Sequence, residues 1–127
     1  MKKVLPILLA VLLLVGCAAP AAENSYRQIS MTDAVTMMEE ETGYIILDVR
    51  TPEEFAEKHI PGAVNVPNET IGTEEISELP DKDQLILVYC RSGNRSKQAS
   101  EKLAAQGYTN IVEFGGINDW PGETVTE

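Results

Sequence analysis

Three shortages bound what this chain can do. One His and two Cys in 127 residues cannot supply the ligands of a tetrahedral zinc site, and no Cys-x-x-Cys is present for dithiol exchange. Cations are scarce: 10 Lys+Arg against 20 Asp+Glu give a net charge of -10, whereas nucleic-acid binding requires a basic surface that releases counterions from phosphate. Long apolar runs are missing too. The longest, residues 4–15, is too short to cross a bilayer at about 1.5 Å per helical residue. The remaining length suits one domain with a modest core, and no internal repeat is visible.

Lys2 and Lys3 before that apolar run, and Leu14-Val15-Gly16 leading into Cys17, form a secretory signal pattern over 1–16. Residues 14–17 resemble the lipobox of bacterial lipoproteins, which implies cleavage before Cys17 and lipidation of that residue. An ordinary signal peptide with Cys17 incidental, or an uncleaved anchor, are the alternatives. Residues 17–25 then read as a lipidated tether with an average reach of about 15 Å. Loss of Lys2 and Lys3 would move the net charge from -10 to -12, so acyl chains rather than basic residues would hold the protein at the membrane. The expected location is the outer face of a bacterial membrane. There Cys90 would be the only thiol, which excludes an internal disulfide.

Residues 26–127 read as the domain. Ser30 caps a helix whose apolar positions are Ala34, Val35, Met37 and Met38, with Gly43 as its stop. Residues 44–49 form a buried strand. Thr51-Pro52-Glu53-Glu54 starts a short helix with a capping box, and His59-Ile60-Pro61-Gly62 breaks it. A brief strand is expected over 63–66, a short acidic helix over 74–79, a strand over 85–89, a helix over 96–106 and a strand over 110–114. Strands alternating with helices at this spacing predict a three-layer α/β domain with helices on both faces of a parallel sheet.

The chemistry concentrates in Cys90-Arg91-Ser92-Gly93-Asn94-Arg95-Ser96, which joins the carboxyl end of a buried strand to the start of a helix, the usual place for ligands in open α/β sheets. Loop and helix-start N–H groups can form an anion nest there, with Gly93 permitting the turn. Residues 90–102 hold four of the eight Lys and Arg that remain without Lys2 and Lys3. Such a loop favours thiolate over thiol, and the thiolate is the nucleophile. Asp48 and Arg50 read as a structural ion pair that could also border the site. His59 reads as a hydrogen-bonding loop residue, Trp120 as packing at the sheet edge, and residues 39–41 as a solvated helix end.

These residues resemble the rhodanese-like sulfurtransferases in their single-domain form. The resemblance rests on residues 46–50 (ILDVR), 52–55 (PEEF), 59–67 (HIPGAVNVP), the Cys90 loop and 115–120 (GGINDW), in that order. It implies a parallel sheet of about five strands flanked by helices. Cys90 would then take sulfane sulfur from thiosulfate or a related anionic donor, expel sulfite and hold the sulfur as a persulfide. A thiol, cyanide or a protein would be the acceptor, and no cofactor is implied. Backbone N–H groups from Arg91, Ser92, Gly93, Asn94, Arg95 and Ser96 would hold the persulfide, while the Arg91 and Arg95 side chains would bind the donor. A related phosphatase and arsenate reductase branch sets its Arg one residue further from the Cys, where this chain has Ser96, so the shorter loop fits sulfur rather than a phosphoryl group. A monomer is expected. The alternative reading is a non-turnover module for protein binding or for sensing oxidants or persulfides.

Overall fold

The computed structural model describes residues 25–126. The leader over 1–16, Cys17 and all of the tether but Ser25 lie outside the described residues. Among the described residues ten elements follow one another: β1 (Arg27–Gln28), α1 (Met31–Glu40), β2 (Ile45–Asp48), α2 (Pro52–Glu57), β3 (Val64–Asn65), a 3-10 turn (Asn68–Thr70), β4 (Ile86–Cys90), α3 (Asn94–Ala105), β5 (Ile111–Gly116) and a second 3-10 turn (Ile117–Asp119). The five strands form one sheet in the order β1-β5-β4-β2-β3, with every pairing parallel.

Alternation along the two central strands divides the core. Leu47 and Val49 of the β2 segment and Val88 and Cys90 of β4 face the layer that receives Ala99, Leu103 and Ala104 of α3. Ile46, Leu87 and Tyr89 face the opposite layer, where Ala34, Met37 and Met38 of α1 pack. Helices therefore cover both faces, as the alternating pattern predicts. Local signals act where expected: the Ser30 hydroxyl accepts from the Asp33 N–H at 3.0 Å. Thr51 and Glu54 close a reciprocal capping box around Pro52 at the first helical position.

Three expectations need correction, and one strand, β1, was not anticipated. Residues 74–79 form turns rather than a helix. Buried Ile76 and Leu79 anchor the segment through one closed turn, from the Leu79 N–H to the Ile76 carbonyl at 2.9 Å, and Pro80 has no N–H with which to extend it. Helix α3 begins at Asn94, two residues before the expected start, because Gly93 at φ 118° turns the chain early. β4 includes Cys90 instead of ending before it. The β1 strand has no apolar alternation, since both of its residues are exposed, and it owes its conformation to pairing with β5.

Topology sets the site. The chain leaves β2 toward β3 on one side and leaves β4 toward β5 on the other, so the segments after these adjacent strands diverge to opposite faces. The start of α2 and the Cys90 loop meet over that divergence. Beneath them, the Asp48 carboxylate receives the Arg50 guanidinium at 2.7 Å and the Tyr89 hydroxyl at 2.6 Å. Arg50 also donates to the Lys58 carbonyl at 2.7 Å, and the Ile60 N–H donates to the Tyr89 oxygen at 3.1 Å. Asp48 and Arg50 are 0% and 3% exposed, so each charge is tolerated only because the other is present. Burial, reinforced by the hydrogen bond to Asp48, holds the Tyr89 phenol well above its ordinary range.

Candidate functional site

Cys90 is the last residue of β4 and is 1% exposed, which places its sulfur at the floor of the following loop. The Gly93 N–H donates to Sγ at 3.0 Å. Gly93 is also the N-cap of α3, adopts φ 118° and offers no side-chain cap, so the first N–H groups of the helix remain free of intrahelical partners. A side chain at Gly93 would be strained in this left-handed conformation. The loop therefore brings a helix terminus and a strand-end sulfur together, the arrangement of an anion nest.

The second wall comes from β5. Cys90 pairs with Gly116 after a register shift beyond Val88, and the Asn118 N–H donates to the Arg91 carbonyl at 3.2 Å. A Cβ on Gly116 would stand 2.0 Å from the Arg91 carbonyl oxygen and 2.5 Å from the Ser92 nitrogen. Its backbone is ordinary extended chain at φ -144°, so contact rather than conformation demands glycine there.

Arg95 is half-buried, and its guanidinium makes two bonds to the Glu54 carboxylate, at 2.8 Å and 3.1 Å. Arg91 is largely exposed, with Nε 3.6 Å from the same carboxylate. Thr51 fixes Glu54 from behind, its N–H donating at 3.0 Å and its hydroxyl at 3.1 Å. The Arg95 hydrogen bond, ahead of those from Thr51, lowers the Glu54 carboxyl from its ordinary 4.5 to about 2. Both loop guanidiniums thus share one counter-charge, and the loop is less positive than its sequence alone suggests.

Ser96 lies buried in the first turn of α3, and its hydroxyl is the hub beneath the sulfur. Cys90 Sγ donates to Ser96 Oγ at 3.4 Å, and Ser96 Oγ can donate to Glu113 Oε2 at 2.5 Å, to the Gly93 carbonyl at 3.0 Å or to the Gly115 carbonyl at 3.3 Å. Glu113 is 3% exposed, and its carboxylate also accepts the Gly115 N–H at 3.0 Å. Beside it, a cleft of about 320 Å³ is lined by Ser30, Ser92, Lys97, Glu113 and Asp119 among others.

The expected residues thus separate into two groups. The segment from Cys90 to Ser96 forms one cradle, in which Ser92 and Asn94 are exposed at the rim and Gly93 and Ser96 are buried. Asp48 and Arg50 stand beneath it as a structural pair whose hydrogen bonds run to Tyr89 and Lys58 rather than to the loop. His59 is a buried structural residue, stacked on Phe55 at 3.8 Å with Nδ1 2.8 Å from the Phe55 carbonyl. Trp120 packs against the α1 layer and donates to the Glu123 carbonyl at 2.9 Å. Sequence reading missed Glu54 as a partner of the loop, because its capping role already accounted for it. It also missed Glu113, although a carboxylate inside the apolar run of β5 was the available signal. Another cavity, about 520 Å³ between Ile71, Lys82, Lys102 and Gln106, lies at the far end of α3. Among the described residues no cluster of three His, Cys, Asp or Glu could hold a metal ion.

The rhodanese-like domain family matches residues 30–123 of this chain. Thiosulfate sulfurtransferase PspE of Escherichia coli (strain K12) is 38% identical over 73 residues, covering 58% of this chain and 70% of that protein. Thiosulfate sulfurtransferase GlpE of Pseudomonas entomophila (strain L48) is 32% identical over 106 residues, covering 80% of this chain and 94% of the relative. A solved structure of a rhodanese with anions from E. coli superimposes with a TM-score of 0.61 at 34% identity, covering 66% of this chain and 99% of that one.

Two outcomes are expected from this geometry. Gly116→Ala should fold with near-native circular dichroism yet displace the loop, and displacement of reacting groups by about 1 Å costs on the order of a hundredfold in turnover, read as kcat. The Glu54 contacts should add stability that is complete above pH 4.5 and lost as pH falls through about 2, because protonation removes a carboxylate favoured only in the folded state. Urea midpoints measured across that window should fall less steeply in Glu54→Gln than in the parent protein.

Proposed function

This chain belongs to the rhodanese-like domain family as a sulfurtransferase of the rhodanese type, and we propose that it moves sulfane sulfur from thiosulfate or a related donor to a thiophilic acceptor through a persulfide on Cys90. The observation that carries this reading is the Gly93 N–H directed at Cys90 Sγ at 3.0 Å, within a loop that opens the first turn of α3. In the first half-reaction the Cys90 sulfur, giving up its proton, attacks the outer sulfur of thiosulfate. The S–S bond of the donor breaks, its electron pair leaves with sulfite, and Cys90-S-S⁻ remains. In the second, a thiol, cyanide or protein nucleophile takes the outer sulfur and the electron pair returns to Sγ.

Every step carries anionic charge through the same small volume, so preorganised N–H donors can act throughout the cycle. A single well-placed donor of this kind is worth roughly a hundred- to a thousandfold in rate. The Arg95 and Arg91 guanidiniums stand at the rim, where the departing sulfite develops its charge. Glu54 orients them and limits their net attraction, which helps the product anion leave. The same geometry gives little support to a role confined to binding, since a binding module has no need of a buried sulfur aligned with a helix terminus.

In this reading the domain works at the outer face of a bacterial membrane as a monomer, tethered through a lipidated Cys17. The basic start, the apolar run over 4–15 and the Leu14-Val15-Gly16-Cys17 sequence support that placement.

Sulfite release from thiosulfate with cyanide as acceptor tests the chemistry. The parent protein should turn over, and Cys90→Ser should fold but give no sulfite above background; equal rates in the two would refute the persulfide route. For the anchor, Cys17→Ala should shift the protein from the membrane fraction to the soluble fraction, and unchanged partitioning would refute lipidation.

A further inference from the structure

Glu113 has a surplus of negative charge that the sulfur-transfer reading leaves without a use. It is 3% exposed, receives only the neutral donors Gly115 N–H and Ser96 O–H, and makes no ion pair among the described residues. Lys97 and Asp119 border the same cleft, but neither is ion-paired with it. One hydroxyl separates this carboxylate from Cys90 Sγ, at 2.5 Å on one side and 3.4 Å on the other.

The hydrogen-bond chain is consistent in two directions. In the empty protein the Cys90 thiol donates to Ser96 Oγ, and Ser96 donates to the Glu113 carboxylate. When Cys90 carries sulfur its thiol proton is gone, so a bond between Ser96 and sulfur needs Ser96 as the donor, and the Ser96–Glu113 contact then takes its proton from Glu113. A Glu113 O–H then reaches Ser96 Oγ, and Ser96 turns its own hydrogen toward sulfur or toward the Gly93 or Gly115 carbonyl.

We infer that Glu113 is a proton-holding positioning residue, which takes the Cys90 proton through Ser96 as sulfur is loaded and gives it back when sulfur departs. This inference rests on the sulfur-transfer reading. The step balances without a further reactant. Cys90-SH, Glu113-COO⁻ and thiosulfate become Cys90-S-S⁻, Glu113-COOH and sulfite. The S–H electron pair stays on Sγ and forms the bond to the incoming sulfur, while the donor's S–S pair leaves with sulfite. The Cys90 proton passes to Ser96 Oγ as the Ser96 proton passes to Glu113 Oε2. The buried charge is thereby moved outward, from Glu113 to the outer sulfur, where the loop N–H groups are. Ser96 touches the reacting sulfur and is a catalytic residue by that contact, whereas Glu113 acts only through it.

An infrared difference spectrum of the full domain, thiosulfate-loaded minus empty, tests this directly. Loading is followed independently by intact mass as the gain of one sulfur atom. The expected result is a new protonated-carboxyl C=O band that shifts in D₂O, disappears in Glu113→Gln and persists at an altered frequency in Glu113→Asp. A purely structural role for Glu113 would produce no such band. Full loading without the band, or a band that survives in Glu113→Gln, overturns the inference while leaving sulfur transfer standing. Failure of the parent protein to gain sulfur from thiosulfate or from polysulfide overturns both.

Discussion

The backbone of the Cys90 loop rests directly on Gly116, with the Arg91 carbonyl oxygen in the space a Cβ would occupy. That contact fixes how far the loop can rise from the sheet before it turns at Gly93 into α3. With the loop held low, the Gly93 N–H reaches back to Sγ, and the first turn of the helix faces the sulfur. Were β5 to carry any other residue at this point, strand and loop would have to separate, and the alignment of donor groups with Sγ would be lost. The parallel pairing of β4 with β5 thus serves the chemistry as well as the core.

Charge around the loop is balanced from both sides. Glu54 reaches in from α2 and shares its carboxylate between Arg95 and Arg91, while Glu113 reaches up from β5 toward Ser96. A loop with two unopposed guanidiniums would bind anions tightly and release them slowly. A transferase that exchanges one sulfur anion for another needs moderate attraction, because binding that is uniform across the cycle does not accelerate it. The two carboxylates come from separate elements on opposite sides of the loop, so the field at Cys90 depends on the packing of α2 and β5 around it.

Much of this architecture is visible in the chain because the relevant signals are local. The Thr51-Pro52-Glu53-Glu54 sequence specifies its own helix start through a capping box that closes within four residues. The apolar run before Cys90 is long enough for a strand buried on both faces, and Gly93 before a polar helix marks a turn. Residues 74–79 mislead because acidic, helix-favouring residues surround Ile76 and Leu79. The deciding forces there are burial of those two side chains and Pro80. Exposed β1 misleads in the opposite direction, since only the partner strand makes it a strand.

What the sequence determined by itself was the order of elements from α1 to β5 apart from residues 74–79, the parallel α/β class and the identity of the reactive loop, because each depends on neighbours within a few residues. What only the tertiary structure decided was which distant side chains attend that loop. Glu54 stands 41 positions from Arg95, and Glu113 stands 17 from Ser96. Their meeting follows from the strand order β5-β4-β2 and from the divergence of the segments after β2 and β4, and no local pattern encodes it. Hydrogen-bond distances of about 3 Å are fixed by packing across the sheet. The distant partners of the Cys90 loop, Glu54 and Glu113, therefore became visible only once the strands were in place.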